Sequence, residues 1–231
     1  MIEAVLVGAL AQSALILSGL VVYLVKVPSR AIGALAGFGA GALIAAVAFD
    51  LIPESADLDK PELALWLLIG AAIFVVSDHI VEARFGGEGG ESGPLGIVVG
   101  SVVDGVPESL IFGIQLGLGD PLSASFVAAV WVSNIPQALA PSAALVENGW
   151  PPVRLGEMWA VVVVACGIVA GLGYAIATAD PDVTGSRAAA LAAGGLLAML
   201  TDSLMPYAFA RGGGPAGIAT VVGFAASLGA S

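Results

Sequence analysis

Apolar runs of membrane-crossing length follow one another along this chain with only short breaks between them, and that succession restricts the fold more than any motif does. Eight runs stand out, near 2–26, 31–54, 62–83, 94–117, 121–146, 157–178, 187–209 and 213–230. At 1.5 Å per helical residue each is about long enough to cross ~30 Å of hydrocarbon. The breaks carry helix-ending residues: Pro28-Ser-Arg30, Asp57 to Pro61, Gly86 to Pro94, Gly119-Asp-Pro121, Asn148 to Pro152, Asp180-Pro-Asp182 and Gly212 to Pro215. None is long enough for a second domain. The expectation is an all-α polytopic membrane protein, with residues 1–231 forming a single transmembrane domain of eight helices in the lipid bilayer.

Composition agrees. The chain is 58% hydrophobic and only 11% charged, with a mean hydropathy of +1.02, whereas a soluble domain is nearer a quarter charged. The first run lacks a basic leading stretch and a small-residue cleavage site, so it reads as a spanning helix and not a signal peptide. A single cysteine, Cys166, excludes an intramolecular disulfide; in its apolar run it reads as a small buried hydrophobe. The net charge of −11 argues against a nucleic-acid partner and suits a surface that gathers cations. The stretch Gly86-Gly-Glu-Gly-Gly-Glu-Ser-Gly93 reads as a flexible linker, since it lacks the lysine and the preceding strand of a phosphate loop.

Basic residues orient the runs. Lys26, Arg30, Arg84, Arg154 and Arg211 fall in the odd-numbered connections, and Lys60 and Arg187 in the even-numbered ones. Five against two places both termini outside, by the excess of Lys and Arg on cytoplasmic loops. The outer connections then hold Asp57, Asp59, Glu62, Asp120, Asp180 and Asp182, either a cation-gathering vestibule or a plain solubilising surface.

Chemistry concentrates in runs four and five. Asp104-Gly-Val-Pro107-Glu108-Ser and Ser133-Asn134-Ile-Pro136-Gln137 each place oxygen-bearing side chains four residues apart, on one helical face, with a proline between them. A proline inside a helix bends it and leaves a carbonyl without its donor, so two such helices facing one another would form a small cage of oxygens. Related strings occur at Asp50-Leu-Ile-Pro53-Glu54 in run two and Ser203-Leu-Met-Pro206-Tyr207, preceded by Asp202, in run seven. Their recurrence suggests inverted repeats meeting around runs four and five.

Asp104 and Glu108 lie roughly 15–20 Å along the helix from Pro94, near the middle of the membrane. A carboxylate there costs at least a few kcal/mol to keep charged unless it is paired or bound to a cation, and no lysine or arginine is available in the central runs. Ordered by depth, the polar groups trace a path from Asp50 and Glu54 outside, through Asp104, Glu108, Ser133, Asn134 and Gln137, to Asp202, Asp78 and His79 inside. Ser133, Asn134 and Gln137 are either ligands or interhelical hydrogen-bonding groups. Asp78 and Glu82 are either part of the exit or a solvated helix end pairing with Arg84, and His79 is either an exit ligand or an interface residue. Carboxylates, a hydroxyl, amides and freed carbonyls suit hard ions such as Mn²⁺, Mg²⁺ or Ca²⁺ more than Zn²⁺. An intramembrane hydrolase is disfavoured by the absence of His-Glu-x-x-His and of Gly-x-Ser-Gly with a histidine on a second helix.

Eight runs with both ends outside and a proline-glutamate type motif at the centre resemble the ZIP (Zrt/Irt-like) family of divalent-metal transporters. That family typically reads His-Asn-x-Pro-Glu-Gly in helix four and His-Glu-x-Pro-Glu-Gly in helix five. Here the corresponding strings are Asp104-Gly105-Val106-Pro107-Glu108-Ser109 and Ser133-Asn134-Ile135-Pro136-Gln137-Ala138. The resemblance implies a bundle kinked in helices two, four, five and seven, a metal cargo held by Asp104, Glu108, Ser133, Asn134 and Gln137, a plasma-membrane location and a homodimer. Both motif histidines and the carboxylates of the second motif are absent, so a single oxygen-lined site is expected in place of two metal sites, with the metal as cargo and no resident cofactor. The expected mechanism is inward movement of the ion by alternating access, through rocking of helices two, four, five and seven about Pro53, Pro107, Pro136 and Pro206; the alternative is a ZIP-like protein without metal transport that serves as a sensor, a binding scaffold or a carrier of another substrate.

Overall fold

A computed structural model describes residues 1–85, 93–119, 122–179 and 181–229, with the side chains of 181–184 left aside. Residues 86–92 of the expected glycine linker, Asp120, Pro121, Asp180 and the side chain of Asp182 therefore lie outside the described residues. Among the described residues there is no strand, and the helices stack into eight columns. Column one is Ile2–Gln12 with Ala14–Val21; column two is Ser29–Ala46, Val47–Leu51 and Ile52–Glu54. Columns three to six are Lys60–Phe85, Pro94–Leu118, Ala124–Glu147 and Pro152–Ala179. Column seven is Pro181–Met199, Leu200–Leu204 and Met205–Gly212, and column eight is Gly214–Leu228.

Six of these columns, one to four, six and seven, are long and apolar enough to cross a membrane. Column five has 24 residues but is diluted by Ser133, Asn134, Gln137 and two prolines, and column eight has only 15 residues. The outward faces are apolar. Val161, Val164, Ile168 and Leu172 recur at helical spacing on column six and all are exposed, a stripe that suits hydrocarbon and not water.

Of the four runs in which prolines predict kinks, two, four, five and seven, irregular turns occur in two and seven alone. Columns four and five remain α-helical through Pro107 and Pro136. The irregular turns are in columns two and seven, where Val47–Leu51 and Leu200–Leu204 form π-helical turns. Each ends two residues before a proline, Pro53 and Pro206. Because proline offers no N–H to the carbonyl four residues back, the chain there widens by one residue, an arrangement that often marks functional segments. Column one also breaks, at Ser13, whose Oγ donates to the Leu10 carbonyl at 2.7 Å and accepts from Trp131 Nε1 at 3.2 Å.

Packing divides the columns into two groups. Column six lies against four and one, and one against five; column eight lies against two, and seven against two and three. Contacts between the groups run from two to five, four to seven, three to four, five to eight and six to seven. Exchanging one with six, two with seven, three with eight and four with five maps these pairs, six with seven aside, onto one another, the relation expected of two repeats. It also separates columns two and seven from four and five, which the expected rocking had moved together. Within each group the backbones touch. A Cβ added at Gly113 would lie 1.9 Å from the Ala170 carbonyl oxygen, and one at Gly41 1.8 Å from that of Thr220, so only glycine permits this approach.

Candidate functional site

Asp104 and Glu108 stand one turn apart on column four yet meet different surroundings. Glu108 is 1% exposed. Its Oε2 accepts a hydrogen bond from Gln12 Nε2 at 2.9 Å, and Gln12 Oε1 accepts one from Asn134 Nδ2, also at 2.9 Å. Columns one, four and five are thus joined through a chain of buried side chains. The other oxygen of Glu108, Oε1, has neither solvent nor a hydrogen-bond partner, a costly state for such an acceptor in a low-dielectric interior. The chain reaches Glu108 because residue 105 is glycine. A Cβ at Gly105 would sit 2.6 Å from Cys166 Sγ and 3.3 Å from Gln12 Nε2. Cys166 itself is fully buried and packed in an apolar cluster with Leu15, Ala138 and Trp159.

Asp104 is half-buried and faces a cavity of about 280 Å³ between columns four, five and seven, shared with Ser101, Gln137, Ser203 and Tyr207. The Tyr207 hydroxyl donates to the Pro136 carbonyl at 3.0 Å, and the Arg211 guanidinium lies 4.0 Å over its ring. A second cavity, of about 470 Å³, opens at the other end of column four between columns two and seven. It is lined by Glu54, Asp57, Gln115 and Ser186, with Ile111 deepest along column four. Gln115 Nε2 donates to the Glu54 carboxylate, and Gln115 Oε1 is buried without a partner. Glu108 falls on column four between Asp104 of the first cavity and Ile111 of the second, and Phe112 and Phe126 are buried with their rings 4.9 Å apart. Asp104 and Ile111 are roughly 10 Å apart along the helix axis. Both cavities lie between the two packing groups, whereas the Gln12–Glu108–Asn134 chain lies within one.

The five residues expected to form one cage are therefore divided. Glu108 and Asn134 belong to the buried chain, and Asp104 and Gln137 to the cavity. Ser133 belongs to neither: it is fully buried, its hydroxyl donates to the Val130 carbonyl at 2.8 Å, and its backbone abuts Gly39 of column two. Helix geometry is the cause, since residues one apart point about a quarter-turn or more from each other. Asp50 and Glu54 also separate. Asp50 is half-buried beside Ser123 and Ser125 at the start of column five, its Oδ2 without a partner, while Glu54 faces the second cavity. Asp78 is half-buried, with Asp104, Asp202, Glu82 and His79 as electrostatic neighbours. Asp202 and Glu82 are exposed, and His79 is exposed among Val75, Val76 and Ile80, on the apolar outer face of column three.

Among the described residues no group of three or more His, Cys, Asp or Glu side chains is placed to hold a metal ion. A cation at this centre would rely on Asp104 and Glu108 supplemented by amide, hydroxyl, carbonyl or water oxygens. Sequence reasoning missed Gln12 and Gln115. One signal was present: the chain contains three glutamines, Gln12, Gln115 and Gln137, each inside an apolar run; Gln12 meets Glu108, Gln115 meets Glu54 and Gln137 shares the cavity of Asp104.

No family model matches this chain, and no curated protein is significantly similar to it.

Proposed function

We propose that this protein carries divalent cations across the membrane by alternating access, with Glu108 and Asp104 as the central ligands. The observation that carries the reading is the partnerless Glu108 Oε1, buried on column four at a level between two cavities that open towards its opposite ends. A carboxylate oxygen in that position is poised for a positive charge that arrives and leaves. The motif resemblance to ZIP transporters favours a divalent metal, and the oxygen-only surroundings favour a hard ion such as Mn²⁺ over Zn²⁺.

In this reading all eight columns span the plasma membrane with both termini outside, and the protein works as a homodimer. Glu54 and Asp57 gather the ion, Glu108 and Asp104 hold it with help from Gln137, and the acidic group of Asp78, Asp202 and Glu82 draws it inward. Movement of columns one, four, five and six against two, three, seven and eight opens the cavities in turn. The two carboxylates balance a divalent ion's charge while it crosses the low-dielectric layer.

Uptake of Mn²⁺ into proteoliposomes loaded with a fluorescent indicator tests the proposal. The Asp104→Ala/Glu108→Ala variant should show no uptake above protein-free liposomes, and uptake at the parent rate would refute the assignment. That no three His, Cys, Asp or Glu side chains among the described residues are placed to hold a metal ion together favours a second reading: a carrier on the same scaffold for a cation that needs only one or two carboxylates. Parent protein that takes up no Mn²⁺, Zn²⁺ or Ca²⁺ would select it.

A further inference from the structure

Gln12 is fully buried, and both ends of its amide are engaged: the nitrogen donates to Glu108 Oε2 and the oxygen accepts from Asn134 Nδ2. A cation held by both carboxylate oxygens cannot share this arrangement. Oε1 is free to receive the ion, but the amide hydrogen points at Oε2, and two positive centres would compete for that second oxygen. Yet the amide has a soft, nearly two-fold terminal torsion, and turning it by half a revolution exchanges its ends without moving the backbone.

We infer that Gln12 is itself a ligand of the transported cation, a role reached by this turnover. Its Oε1 then stands beside Glu108, facing the ion, and its Nε2 donates to Asn134, whose amide turns to present its oxygen. The hydrogen-bond count balances. Before the ion arrives the chain holds two bonds, amide to carboxylate and amide to amide. Afterwards the amide-to-amide bond persists in reverse, and ion–oxygen contacts to Gln12 and Glu108 replace the other. The empty site thereby keeps Glu108 Oε2 partnered, and the occupied site gains a neutral oxygen ligand of the kind hard divalent ions accept. Two features of the packing fit this role. The missing side chain at Gly105 leaves the space in which the Gln12 amide lies, and the break of column one at Ser13 follows Gln12 directly.

The inference rests on the cation reading above, and Mn²⁺ titration of the full-length protein in detergent, followed by the electron paramagnetic resonance of free Mn²⁺, separates the two. Gln12→Leu keeps the side chain's bulk and removes its oxygen, so the Kd for Mn²⁺ should rise about tenfold or more, the usual effect of losing a group at a metal site. Gln12→Glu retains an oxygen and adds charge, so it should bind Mn²⁺ at least as tightly as the parent. A role confined to tying three columns together predicts the opposite pattern: lower thermal stability for both variants, with the affinity of the folded protein unchanged. A Gln12→Leu protein that folds and binds within about twofold of the parent overturns the inference and leaves the cation reading standing. If Gln12→Leu fails to fold, Gln12→Glu decides, and weaker binding than the parent overturns it. Absence of Mn²⁺ binding by the parent removes the cation reading and this inference together.

Discussion

Column four carries two glycines that should respond in opposite ways to the same added methyl group. At Gly113 a Cβ would lie 1.9 Å from the Ala170 carbonyl oxygen, 2.8 Å from its carbon and 2.8 Å from the Tyr174 nitrogen. All three are backbone atoms and cannot rotate away. The closest contact falls about 1.5 Å short of the ~3.5 Å at which non-bonded heavy atoms attract. Columns four and six must then separate by something on the order of 1 Å, which costs about 1–3 kcal/mol as overpacking normally does. At Gly100 the nearest atom to a new Cβ is Val81 Cγ1 at 4.0 Å, and alanine there relieves the backbone-entropy penalty of a helical glycine, about 0.5–1 kcal/mol. Gly113→Ala and Gly100→Ala should therefore differ by about 1.5–4 kcal/mol in opposite directions from the parent. Reversible unfolding of detergent-solubilised protein by SDS, followed by tryptophan fluorescence, measures both. Because Glu108 lies five residues below Gly113 on the same column, the displaced helix should also lose Mn²⁺ uptake, as ~1 Å misplacements of reacting groups do. Equal effects of the two substitutions, or a Gly113→Ala protein as stable as the parent, would refute the backbone contact on which the placement of Glu108 depends.

Two further outcomes follow from named groups. Carboxylates hold a metal only when unprotonated, so at the proposed site protons should compete with the ion for Asp104 and Glu108. Mn²⁺ affinity should fall as pH falls, by up to about tenfold per unit for each proton displaced; a Kd constant between about pH 5.5 and 8 would contradict carboxylate ligation. Trp159 Nε1 donates to Ser142 Oγ at 2.9 Å where both residues are fully buried. Trp159→Phe should destabilise by about 1–3 kcal/mol through the orphaned hydroxyl, and adding Ser142→Ala should recover part of that loss in a double-mutant cycle of unfolding free energies.

The apolar runs were legible because lipid leaves the backbone few alternatives, and the Asp104/Glu108 pair because a carboxylate in an apolar run admits few explanations. Element starts were less so. Pro152 and Pro181 counted as breaks in the sequence, yet each begins its helix, since proline's missing N–H and fixed φ suit the first helical turn. The π-turns at Val47–Leu51 and Leu200–Leu204 left no periodic trace, because one inserted residue is invisible to a pattern that tolerates either neighbour. Gly105 carries no side chain to read in the sequence; in three dimensions it is the opening beside which Gln12 meets Glu108. Gln12 was illegible because its partners lie 96 and 122 residues away, and only tertiary packing decides which amide in a membrane helix is glue and which faces a carboxylate.

The distribution of amides and basic residues gives the proposed route its physical sense. Glu54 is met by Gln115, Glu108 by Gln12, and Asp104 shares its cavity with Gln137. A lysine or arginine at any of these positions would form a buried ion pair, which neutralises the acid and is costly to pull apart once made. An amide, as Gln12 does for Glu108, steadies a carboxylate by hydrogen bonding without neutralising its charge, so attraction for a cation would survive. The seven basic residues, Lys26, Arg30, Lys60, Arg84, Arg154, Arg187 and Arg211, all lie at column ends or in connections, and the one ion pair found among the described residues, Arg187 with Glu62 at 2.8 Å, is part-exposed at such an end. A bundle built only for stability would have no reason to keep its basic residues away from acids that are expensive to bury. Replacing Gln12, Gln115 or Gln137 by arginine should accordingly make the protein more static and abolish Mn²⁺ uptake from any of the three positions, and uptake that survives all three substitutions would show that these acids do not line the cation's path.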